Sequence, residues 1–495
     1  MRWSFANLAP ASAIARGIDA GLTRAPAWLQ TMIDRFDRPG PGCTGAIPSV
    51  ATKRGDIMSE PLRIALAGLG TVGGGVVRLI EANAELIARR AGRPIVITAI
   101  SARNRGKDRG FDTTGYAWED DMVILGERDD VDVVVELVGG ADGPALALAR
   151  TTFEAGKGLV TANKAMIAHH GLELATRAEA AHCALRFEAA VAGGIPVIKG
   201  LKEGAAANYI HRVYGILNGT CNYILSTMED SGRDFADVLV EAQAKGYAES
   251  DPSFDIDGID AAHKLSILAS IAFGTVIDFG AVTVTGIRRV LAADIAQADA
   301  LGYYIRLIGM ADIATDSHGQ TRLFQRVHPH LVHRDHPLAH VDGATNAVVA
   351  EGNFVGRLLF QGAGAGDGPT ASAVVADLID IARGDIGAPF SIPAAELEPA
   401  LRADSGHRTG KAYLRFTVAD RPGTLAEIAA AMRDAGVSIE SLIQKGRVAV
   451  AGESRALVSL VTHHGPESGI IQALRLLEGS PALAEPPLVM HILAD

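Results

Sequence analysis

Hydrophobic and polar residues follow a strand–helix alternation over the segment from about residue 61 to 165. Short apolar runs without polar alternation predict strands that are buried on both faces. These runs are Leu62–Ala67, Pro94–Ile100, Val131–Val138 and Gly158–Thr161. Apolar residues recur at helical spacing over Val72–Ile87, between the first two strands. This βαβ order predicts an α/β fold, a Rossmann-type doubly wound parallel sheet with right-handed crossovers.

The pattern becomes mixed after residue 190. Helical periodicity over Phe235–Lys245 and Asp260–Phe273 stands among β-rich runs. Those runs are Arg212–Leu217, Ala281–Thr285 and Thr321–Val327. An α+β domain with antiparallel strands accounts for residues 191–360 better than a continuation of the first sheet. Four glycines within Gly362–Gly368 then interrupt the pattern, and a helix is predicted over Thr370–Ala382.

Residues 410–495 predict a separate small domain. Four strands and two helices alternate there in the order βαββαβ, which is that of a ferredoxin-like module. The strands are Tyr413–Val418, Val437–Ile443, Arg455–Val461 and Leu488–Ile492. Thr424 and Glu427 have the spacing of a capping box at the start of the first helix.

Composition and charge narrow the class of protein. A chain of 495 residues predicts two to four domains at about 100–200 residues each. With 48% hydrophobic and 21% charged residues, the chain has the composition of a folded protein. A net charge of −11 argues against binding to nucleic acid, which needs clustered cations. The apolar stretch Leu265–Val284 is interrupted by glycine and aspartate, so we expect no membrane partner.

The cysteines point to a reducing compartment. Cys43, Cys183 and Cys221 are odd in number and widely spaced, so they offer neither a disulfide framework nor a metal motif. We therefore expect a cytoplasmic protein.

Residues 1–57 differ in composition from the rest of the chain. They are rich in Arg, Ala, Pro and Gly and show no sustained apolar periodicity. We expect this extension to have no catalytic role. It is interpreted either as a transit peptide, since the first eighteen residues lack acids, or as the result of a start codon placed too early. The second interpretation is favoured because Met58 begins just before the first strand.

A glycine-rich turn joins the first strand to the first helix. Its sequence, Gly68-Leu69-Gly70-Thr71-Val72-Gly73, allows a tight turn, a close approach by a pyrophosphate and close packing of helix on strand. A diphosphate bound there would meet the positive end of the helix. After the second strand no acid is present to bind a ribose hydroxyl, whereas Arg103, Arg105 and Lys107 follow. This favours NADP over NAD, because cations suit a 2′-phosphate.

An acidic loop precedes an apolar helix that contains Lys264. Its five carboxylates are Glu249, Asp251, Asp255, Asp257 and Asp260. A calcium loop is excluded, since the position of the required bidentate Glu is occupied by Lys264. Asp260 and Lys264, four residues apart, share one helix face. They form either a surface ion pair or a buried pair in which the lysine acts as general acid or base, and the sequence favours neither.

Three further groups of residues attract attention. Lys164, in Thr161-Ala162-Asn163-Lys164, follows the fourth strand at the sheet edge where ligands bind, so it would face the nicotinamide. The turn 188–196 leaves carbonyls that could bind a cation, although most such turns are empty. The histidines match no metal-binding spacing, so we interpret them as packing or solvated side chains. They are His328, His330, His333, His336 and His340.

Taken in order, these motifs resemble those of the homoserine dehydrogenase family over residues 61–395. The resemblance rests on Gly-Leu-Gly-Thr-Val-Gly-Gly-Gly at 68–75, Thr-Ala-Asn-Lys at 161–164, Glu-Ala-Ala-Val-Ala-Gly-Gly-Ile-Pro at 188–196, Gly-Ile-Leu-Asn-Gly-Thr-Cys-Asn-Tyr-Ile-Leu at 215–225 and the acidic loop. Residues 410–495 resemble an ACT domain. The aspartate kinase segment of the bifunctional enzymes has no counterpart here.

The resemblance implies NAD(P)-dependent interconversion of L-homoserine and L-aspartate 4-semialdehyde. Lys264 would donate the proton to the carbonyl oxygen, Asp260 would orient it, and Lys164 would assist at the same oxygen or at the cofactor. Glu249 would bind the ammonium group of the substrate. The rest of the substrate pocket would be formed by Tyr247, Gly219, Thr220 and Asp255.

It also implies a domain plan and further ligands. The nucleotide domain would span 58–190, and the segment 361–400 would return the chain to it. Gly139, Asn163 and Gly366 would join the glycine turn at the cofactor. A Na⁺ or K⁺ ion would be bound by Glu188 and the carbonyls of Val191, Gly193 and Ile195.

The middle domain would form a homodimer or part of a homotetramer. The turn Asp420–Gly423 would lie at an effector site for an amino acid, threonine being the expected one. An ACT domain that only dimerises is the alternative. Two rival functions also remain: another NADP-dependent amino-acid or semialdehyde dehydrogenase, and a non-catalytic amino-acid sensor.

Overall fold

The computed structural model describes residues 60–316, 318–450 and 453–494. The extension 1–57 lies outside these residues, so its interpretation stays a prediction.

A six-stranded parallel sheet forms the nucleotide-binding half. Its strands pair in the order β3-β2-β1-β4-β5-β6, which is that of a doubly wound dinucleotide fold. They are β1 (Leu62–Ala67), β2 (Ile95–Ser101), β3 (Ala117–Trp118), β4 (Val133–Glu136), β5 (Gly158–Thr161) and β6 (Leu185–Arg186). The helices are α1 (Thr71–Ala82), α2 (Ala84–Ala91), α3 (Pro144–Glu154) and α4 (Lys164–Ala180). The predicted fold class is confirmed.

The prediction of a single helix over Val72–Ile87 is wrong. Two helices, α1 and α2, meet at Asn83, whose backbone has φ −117° and ψ 20° and leaves the helical region. Asn is a poor helix former but a good N-cap residue, so it ends one helix and precedes the next.

A second, mixed sheet forms the middle of the molecule. Its central strands β7, β9, β10, β11 and β12 pair antiparallel, as expected for residues 191–360. The strands are β7 (Ile210–Ile216), β8 (Thr283–Val284), β9 (Tyr303–Thr315), β10 (Thr321–His333), β11 (Thr345–Gly352), β12 (Gly356–Ala363) and β13 (Leu401–Arg402). The helices are α5 (Gly219–Ser231), α6 (Phe235–Ala244), α7 (Ile259–Phe273) and α8 (Ala292–Ala300). Nearly every residue of α7 is buried, because it packs against β7, β9 and β10 and against α4.

The β-rich run predicted over Ala281–Thr285 is shorter in the structure. Asp278 accepts a hydrogen bond from the backbone N–H of Ala281 and starts a single 3₁₀ turn, Phe279–Ala281. Only Thr283–Val284 remain as a strand, paired with β10.

The helix α9 (Asp367–Ala382) packs against the nucleotide-binding half. Val374 and Leu378 of α9 share a core with Val76 and Val77 of α1. A segment far along the chain therefore completes the hydrophobic core under the glycine-rich turn.

The C-terminal residues fold with the predicted βαββαβ order. The main strands are β15 (Ala412–Val418), β16 (Ile439–Val450), β17 (Glu453–Thr462) and β19 (Leu488–Ile492). The helices are α10 (Thr424–Asp434) and α11 (Glu467–Leu476), and a small ladder pairs β14 (Thr409–Gly410) with β18 (Gly465–Pro466).

The capping box predicted at Thr424 and Glu427 is wrong. Gly423 is the N-cap of α10, the Thr424 hydroxyl donates to the carbonyl of Ala419, and the Glu427 carboxylate accepts from the Ser480 hydroxyl. Both side chains tie the helix to neighbouring loops instead of to its own first turn.

The C-terminal sheet is continuous with the middle sheet. Strand β19 pairs with β15 on one side and with β10 on the other, through His491 opposite His330 and Ile492 opposite Leu331. Two buried ion pairs cross the same junction. Arg326 on β10 donates to Glu467 on α11 at 3.0 Å, and Arg415 on β15 donates to Asp294 on α8.

Two histidines of the histidine-rich segment lie at this junction. His328 and His330 are enclosed there beside His491, and burial lowers the pKa of both to about 3. Across the described ranges, no group of three or more His, Cys, Asp or Glu side chains could hold a metal ion. The same residues include no helix long and apolar enough to cross a membrane.

We predict that Glu467→Gln lowers the unfolding free energy by about 3–5 kcal/mol, because it leaves the buried Arg326 without a counter-charge. Thermal or denaturant unfolding of the full chain measures the change. Asp434→Asn, which removes an exposed pair with Arg433, is the control and should leave stability nearly unchanged, because water screens that pair. Equal effects of the two substitutions would contradict the assigned role of the junction pair.

Candidate active site

The carboxylate of Asp260 binds two lysine ammonium groups. Its Oδ2 lies 2.7 Å from Nζ of Lys264, and its Oδ1 lies 3.1 Å from Nζ of Lys164. Asn218 donates a hydrogen bond to Oδ2 at 2.9 Å. Asp260 is only 3% exposed, in the first turn of α7, where the helix dipole favours a negative charge.

Lys264 is held in one orientation by two acceptors. Its ammonium donates to Asp260 and, at 2.8 Å, to the carbonyl of Leu217. That carbonyl also accepts from the side chain of Asn346 at 2.9 Å. An ammonium group has three N–H donors, so one remains for a ligand. Lys264 is 8% exposed and reaches the site from a buried helix.

The charges around Asp260 determine its protonation. Burial raises the pKa of this carboxyl, but the ammonium groups of Lys264 and Lys164 outweigh burial and hold the pKa below its usual range. Asp260 is therefore ionised at neutral pH. The nearby Asp255 has its pKa raised, by burial and by the negative charge of Asp260.

The predicted substrate-side residues meet at the start of α5. The Thr220 hydroxyl lies 2.8 Å from the carbonyl of Tyr247 and 3.2 Å from Oδ2 of Asp255. A side chain at Gly219 would place Cβ 2.6 Å from the carbonyl oxygen of Ala344, so this position requires glycine. Four predicted positions thus lie around one helix terminus, and the ring of Tyr247 stacks on Tyr223.

Glu249 lies at the exposed end of the loop. Its backbone carbonyl accepts a hydrogen bond from Gln243, while its carboxylate forms no hydrogen bond or ion pair with another described residue. The carboxylate is thus available to a ligand, outside the buried group of charges.

The glycine-rich turn has the geometry that a dinucleotide needs. Gly68 has φ +103°, and a Cβ on Gly73 would lie 2.1 Å from the Gly68 carbonyl oxygen. Gly70, by contrast, faces open space, which leaves room for a phosphate at the N-terminus of α1. Leu69, Thr71 and Val72 complete the turn at the carboxyl edge of the sheet, and no acid is present in the first turn of α1. The residues present therefore fit a pyrophosphate.

The loop after β2 is rich in exposed cations. Arg103 and Lys107 form no ion pair with other described residues. Arg105 and Arg109 each lie 5.5 Å from the ring centroid of Trp118, and Arg109 donates to the carbonyls of Lys107 and Asn104. The loop is thereby folded into a compact basic surface.

Glu136 ends β4 and Asn163 follows β5, at the carboxyl edge of the parallel sheet. Asn163 caps α4 by accepting from Met166 N–H at 3.1 Å, and it donates to the carbonyl of Gly140 at 2.7 Å. The buried Glu136 carboxylate accepts from the N–H of Gly139 at 3.0 Å and from the Thr161 hydroxyl at 2.6 Å. Predicted positions 139 and 163 thus lie on adjacent loops, and Gly366 forms the N-cap of α9.

Three polar residues of the site were not predicted from the sequence: Glu136, Asn218 and Asn346. Glu136 ends an otherwise apolar strand, and Asn218 is a good N-cap residue before a helix, so both carried a usable signal. Asn346 lies in a strand far along the chain from its partner Leu217, and local sequence offers no sign of that contact.

The predicted cation turn is tightly folded. Ala192 and Gly193 both have φ +55°, so successive carbonyls point in different directions. The Glu188 side chain accepts from the N–H groups of Ile198 and Lys199, at 2.9 and 2.8 Å. Its carboxylate is therefore already hydrogen-bonded. The backbone carbonyls of this turn suit a cation. The carbonyl of Ile195 also accepts a hydrogen bond from Val197 N–H.

Three family models match the chain. Residues 68–188 match the homoserine dehydrogenase NAD-binding domain, residues 196–379 match homoserine dehydrogenase, and residues 412–479 match the ACT domain.

Relatives match over most of the chain. A homoserine dehydrogenase of Pseudomonas aeruginosa is 45% identical over 441 residues, 88% of this chain and 99% of that protein. One from Mycobacterium tuberculosis is 43% identical over 420 residues, 85% of this chain and 95% of that protein. The crystal structure of a homoserine dehydrogenase from Thiobacillus denitrificans has a TM-score of 0.80 at 40% identity, covering 88% of this chain and 98% of that one. A hyperthermophilic archaeal homoserine dehydrogenase in complex with NADPH has a TM-score of 0.54 at 26% identity, covering 65% and 97%.

We predict that Asp260→Asn destabilises the protein by about 3–5 kcal/mol at neutral pH, because Lys264 loses its buried counter-charge. Since the pKa of Asp260 is lowered in the folded state, its stabilising effect is present above the ordinary pKa of about 4 and is lost as the pH falls through the folded value. The stability difference between wild type and variant should therefore be constant from pH 5 to 8 and shrink in stronger acid. Unfolding measured against pH tests this, and a difference that grows on acidification would contradict it.

Proposed function

Because this chain belongs to the homoserine dehydrogenase family, we propose that Lys264 and Asp260 carry the proton transfer of its reaction. The chain is an oxidoreductase, a homoserine dehydrogenase that interconverts L-homoserine and L-aspartate 4-semialdehyde with NAD(P). The nicotinamide cofactor supplies or accepts the hydride, and the protein must supply or accept the proton at the substrate oxygen.

The observation that carries the assignment is the hydrogen bonding of Lys264. Two of its N–H groups are fixed by Asp260 and the Leu217 carbonyl, so the third points in a defined direction. In the reducing direction this N–H donates to the carbonyl oxygen of the semialdehyde. In the oxidising direction the neutral amine accepts the hydroxyl proton of homoserine. Asp260 remains a carboxylate throughout and orients the lysine.

Lys164 is proposed to assist from the cofactor side. It begins α4, directly after β5, at the sheet edge where the nicotinamide end of a dinucleotide lies. Its ammonium shares Asp260 with Lys264, and its side chain is about one third exposed. It therefore stabilises negative charge developing on the substrate oxygen.

The substrate is proposed to lie between α5 and the acidic loop. The Glu249 carboxylate binds the α-ammonium group of homoserine, with Thr220, Tyr247 and Asp255 beside it. The free carboxylate of Glu249 and the raised pKa of Asp255 support different roles for the two acids.

NADP is the proposed cofactor, with NAD as the alternative. The turn 68–73 would bind the pyrophosphate, and Arg103 and Lys107 would bind the 2′-phosphate. The support is the absence of ion-pair partners for both cations among the described residues. A Na⁺ or K⁺ ion is proposed at Glu188 and the carbonyls of Val191, Gly193 and Ile195, where it would stabilise the turn 188–196.

The assembly and regulation are proposed as follows. The exposed edge strand β12 suits a homodimer through the middle sheet, with a tetramer as the alternative.

Threonine is the proposed effector at the Asp420–Gly423 turn, which lines a cavity of about 170 Å³. We place the enzyme in the cytoplasm, which suits the free thiols of Cys183 and Cys221.

We predict that Lys264→Ala lowers kcat for semialdehyde reduction by about 10²–10⁴-fold, the usual contribution of a general acid. Affinity for NADPH should change less than twofold, because Lys264 contacts the substrate oxygen. Lys202→Ala is the matched control, since its ammonium also donates to a backbone carbonyl, that of Ala388, outside this site. Turnover and NADPH binding by both variants test the assignment, and wild-type turnover by Lys264→Ala would refute it.

We predict that Arg103→Ser weakens NADPH binding by about tenfold or more while NADH binding changes little, because a charge-assisted hydrogen bond contributes about 1.5–3 kcal/mol. Equilibrium titration followed by nicotinamide fluorescence measures both dissociation constants. Arg89→Ser, at an exposed arginine on α2, serves as the control. Equal weakening for the two cofactors would place the 2′-phosphate elsewhere.

A further inference from the structure

Four aromatic rings form a cluster beside the charges at Asp260. They are His169 on α4, His263 on α7, Phe254 in the acidic loop and Phe279 in the 3₁₀ turn after α7. The ring of His263 stacks on Phe279 with centroids 4.3 Å apart, meets the ring of His169 edge-on at 5.3 Å and lies 5.5 Å from that of Phe254. The cluster is therefore centred on His263, and it joins the nucleotide-binding half to the middle domain.

A hydrogen bond between the two histidines crosses this boundary. Nε2 of His263 lies 3.3 Å from Nε2 of His169. Burial lowers the pKa of His263 to about 4, so its ring is neutral at neutral pH and carries one N–H. Its Nδ1 is buried without a hydrogen-bond partner among the described residues, and proteins bury an unpaired acceptor more often than an unpaired N–H. The hydrogen is therefore on Nε2, and His263 donates to His169.

The same cluster touches both ends of Lys164. The backbone of Lys164 begins α4, the helix that carries His169, so its position is set by that helix. Its ammonium lies 5.6 Å from the ring centroid of Phe254, which packs on His263. Between these ends is a flexible side chain, about one third exposed, whose ion-pair partner is Asp260. The contact between Lys164 and Asp260 thus depends on how α4 is held against α7.

Packing alone does not account for a histidine at position 263. An apolar ring would fill the same space without the cost of burying two ring nitrogens, one of them unpaired. The contact that an apolar ring could not form is the hydrogen bond to His169. That polar contact is what histidine contributes here.

We propose that His263 is a positioning residue for the reaction, since its hydrogen bond to His169 holds the start of α4 against α7 and so keeps the ammonium of Lys164 on Asp260. The inference rests on the assisting role proposed for Lys164 and adds the pair of residues that positions it. Without this hydrogen bond, α4 is no longer held against α7, and Asp260 is left with Lys264 alone.

A double-mutant cycle with His263→Phe and Lys164→Met tests the proposal. His263→Phe keeps an aromatic ring but removes the hydrogen bond, so kcat for semialdehyde reduction should fall by about tenfold, because Lys164 is no longer held on Asp260. Lys164→Met should lower kcat by about tenfold in the wild type but by less than about threefold in His263→Phe, where its ammonium has already left Asp260. Thermal unfolding of the same four proteins should follow this pattern, with a smaller change in melting temperature on Lys164→Met in the His263→Phe background.

The exposed member of the pair provides a second variant. His169→Leu removes the same hydrogen bond without changing the buried ring, and it decides the matter if His263→Phe fails to fold. Its kcat should fall by about tenfold, whereas that of His169→Gln should fall by less than about threefold, because an amide can still accept the hydrogen bond. His333→Phe is the control. This exposed histidine of β10 packs on Tyr303 with ring centroids 5.4 Å apart, and its replacement should leave kcat unchanged.

Two results would overturn the proposal. One is a change in melting temperature on Lys164→Met that is as large in His263→Phe as in the wild type. The other is equal kcat for His169→Leu and His169→Gln when Lys164→Met itself lowers kcat. Unchanged kcat for Lys164→Met in the wild type would instead refute the assisting role of Lys164, and the unfolding cycle would then still decide whether His263 positions it.

Discussion

The carboxylate of Asp260, buried between the ammonium groups of Lys264 and Lys164, is the interaction on which the site depends. Burying a charge is costly unless it is paired and hydrogen-bonded. The structure meets this cost with Asn218 on the carboxylate and with the Leu217 carbonyl on Lys264. These contacts also restrict Lys264 to one orientation. The groups that stabilise the buried charges therefore also position the proton donor.

The two lysines arrive from different halves of the molecule. Lys264 comes from a helix buried against the middle sheet, whereas Lys164 begins a helix of the nucleotide-binding half. Asp260 therefore connects the nucleotide-binding half, through Lys164, to the proton donor Lys264 of the middle domain. The return of α9 to the core beneath the glycine-rich turn ties the same two halves together.

Much of this arrangement could be predicted from local sequence. The i,i+4 spacing placed Asp260 and Lys264 on one helix face, and the strand-end position of Lys164 placed it at the ligand-binding edge. The features that could not be predicted depend on contacts between residues far apart in the sequence. Asn346 reaches Leu217 across the sheet, and β19 joins β10 through backbone groups that carry no side-chain signature. The capping box at Thr424 failed because tertiary partners took both side chains.

Chemical rescue tests the central claim most directly. Lys264→Ala removes the ammonium group and leaves a space beside Asp260 that a small primary amine could enter. The account predicts that added methylamine or ethylamine restores turnover in a saturable manner, and that rescue increases with the basicity of the amine in the oxidising direction. Lys264→Ala that binds NADP⁺ and homoserine but gains no activity from any amine would contradict the role of Lys264 as the proton-transferring group.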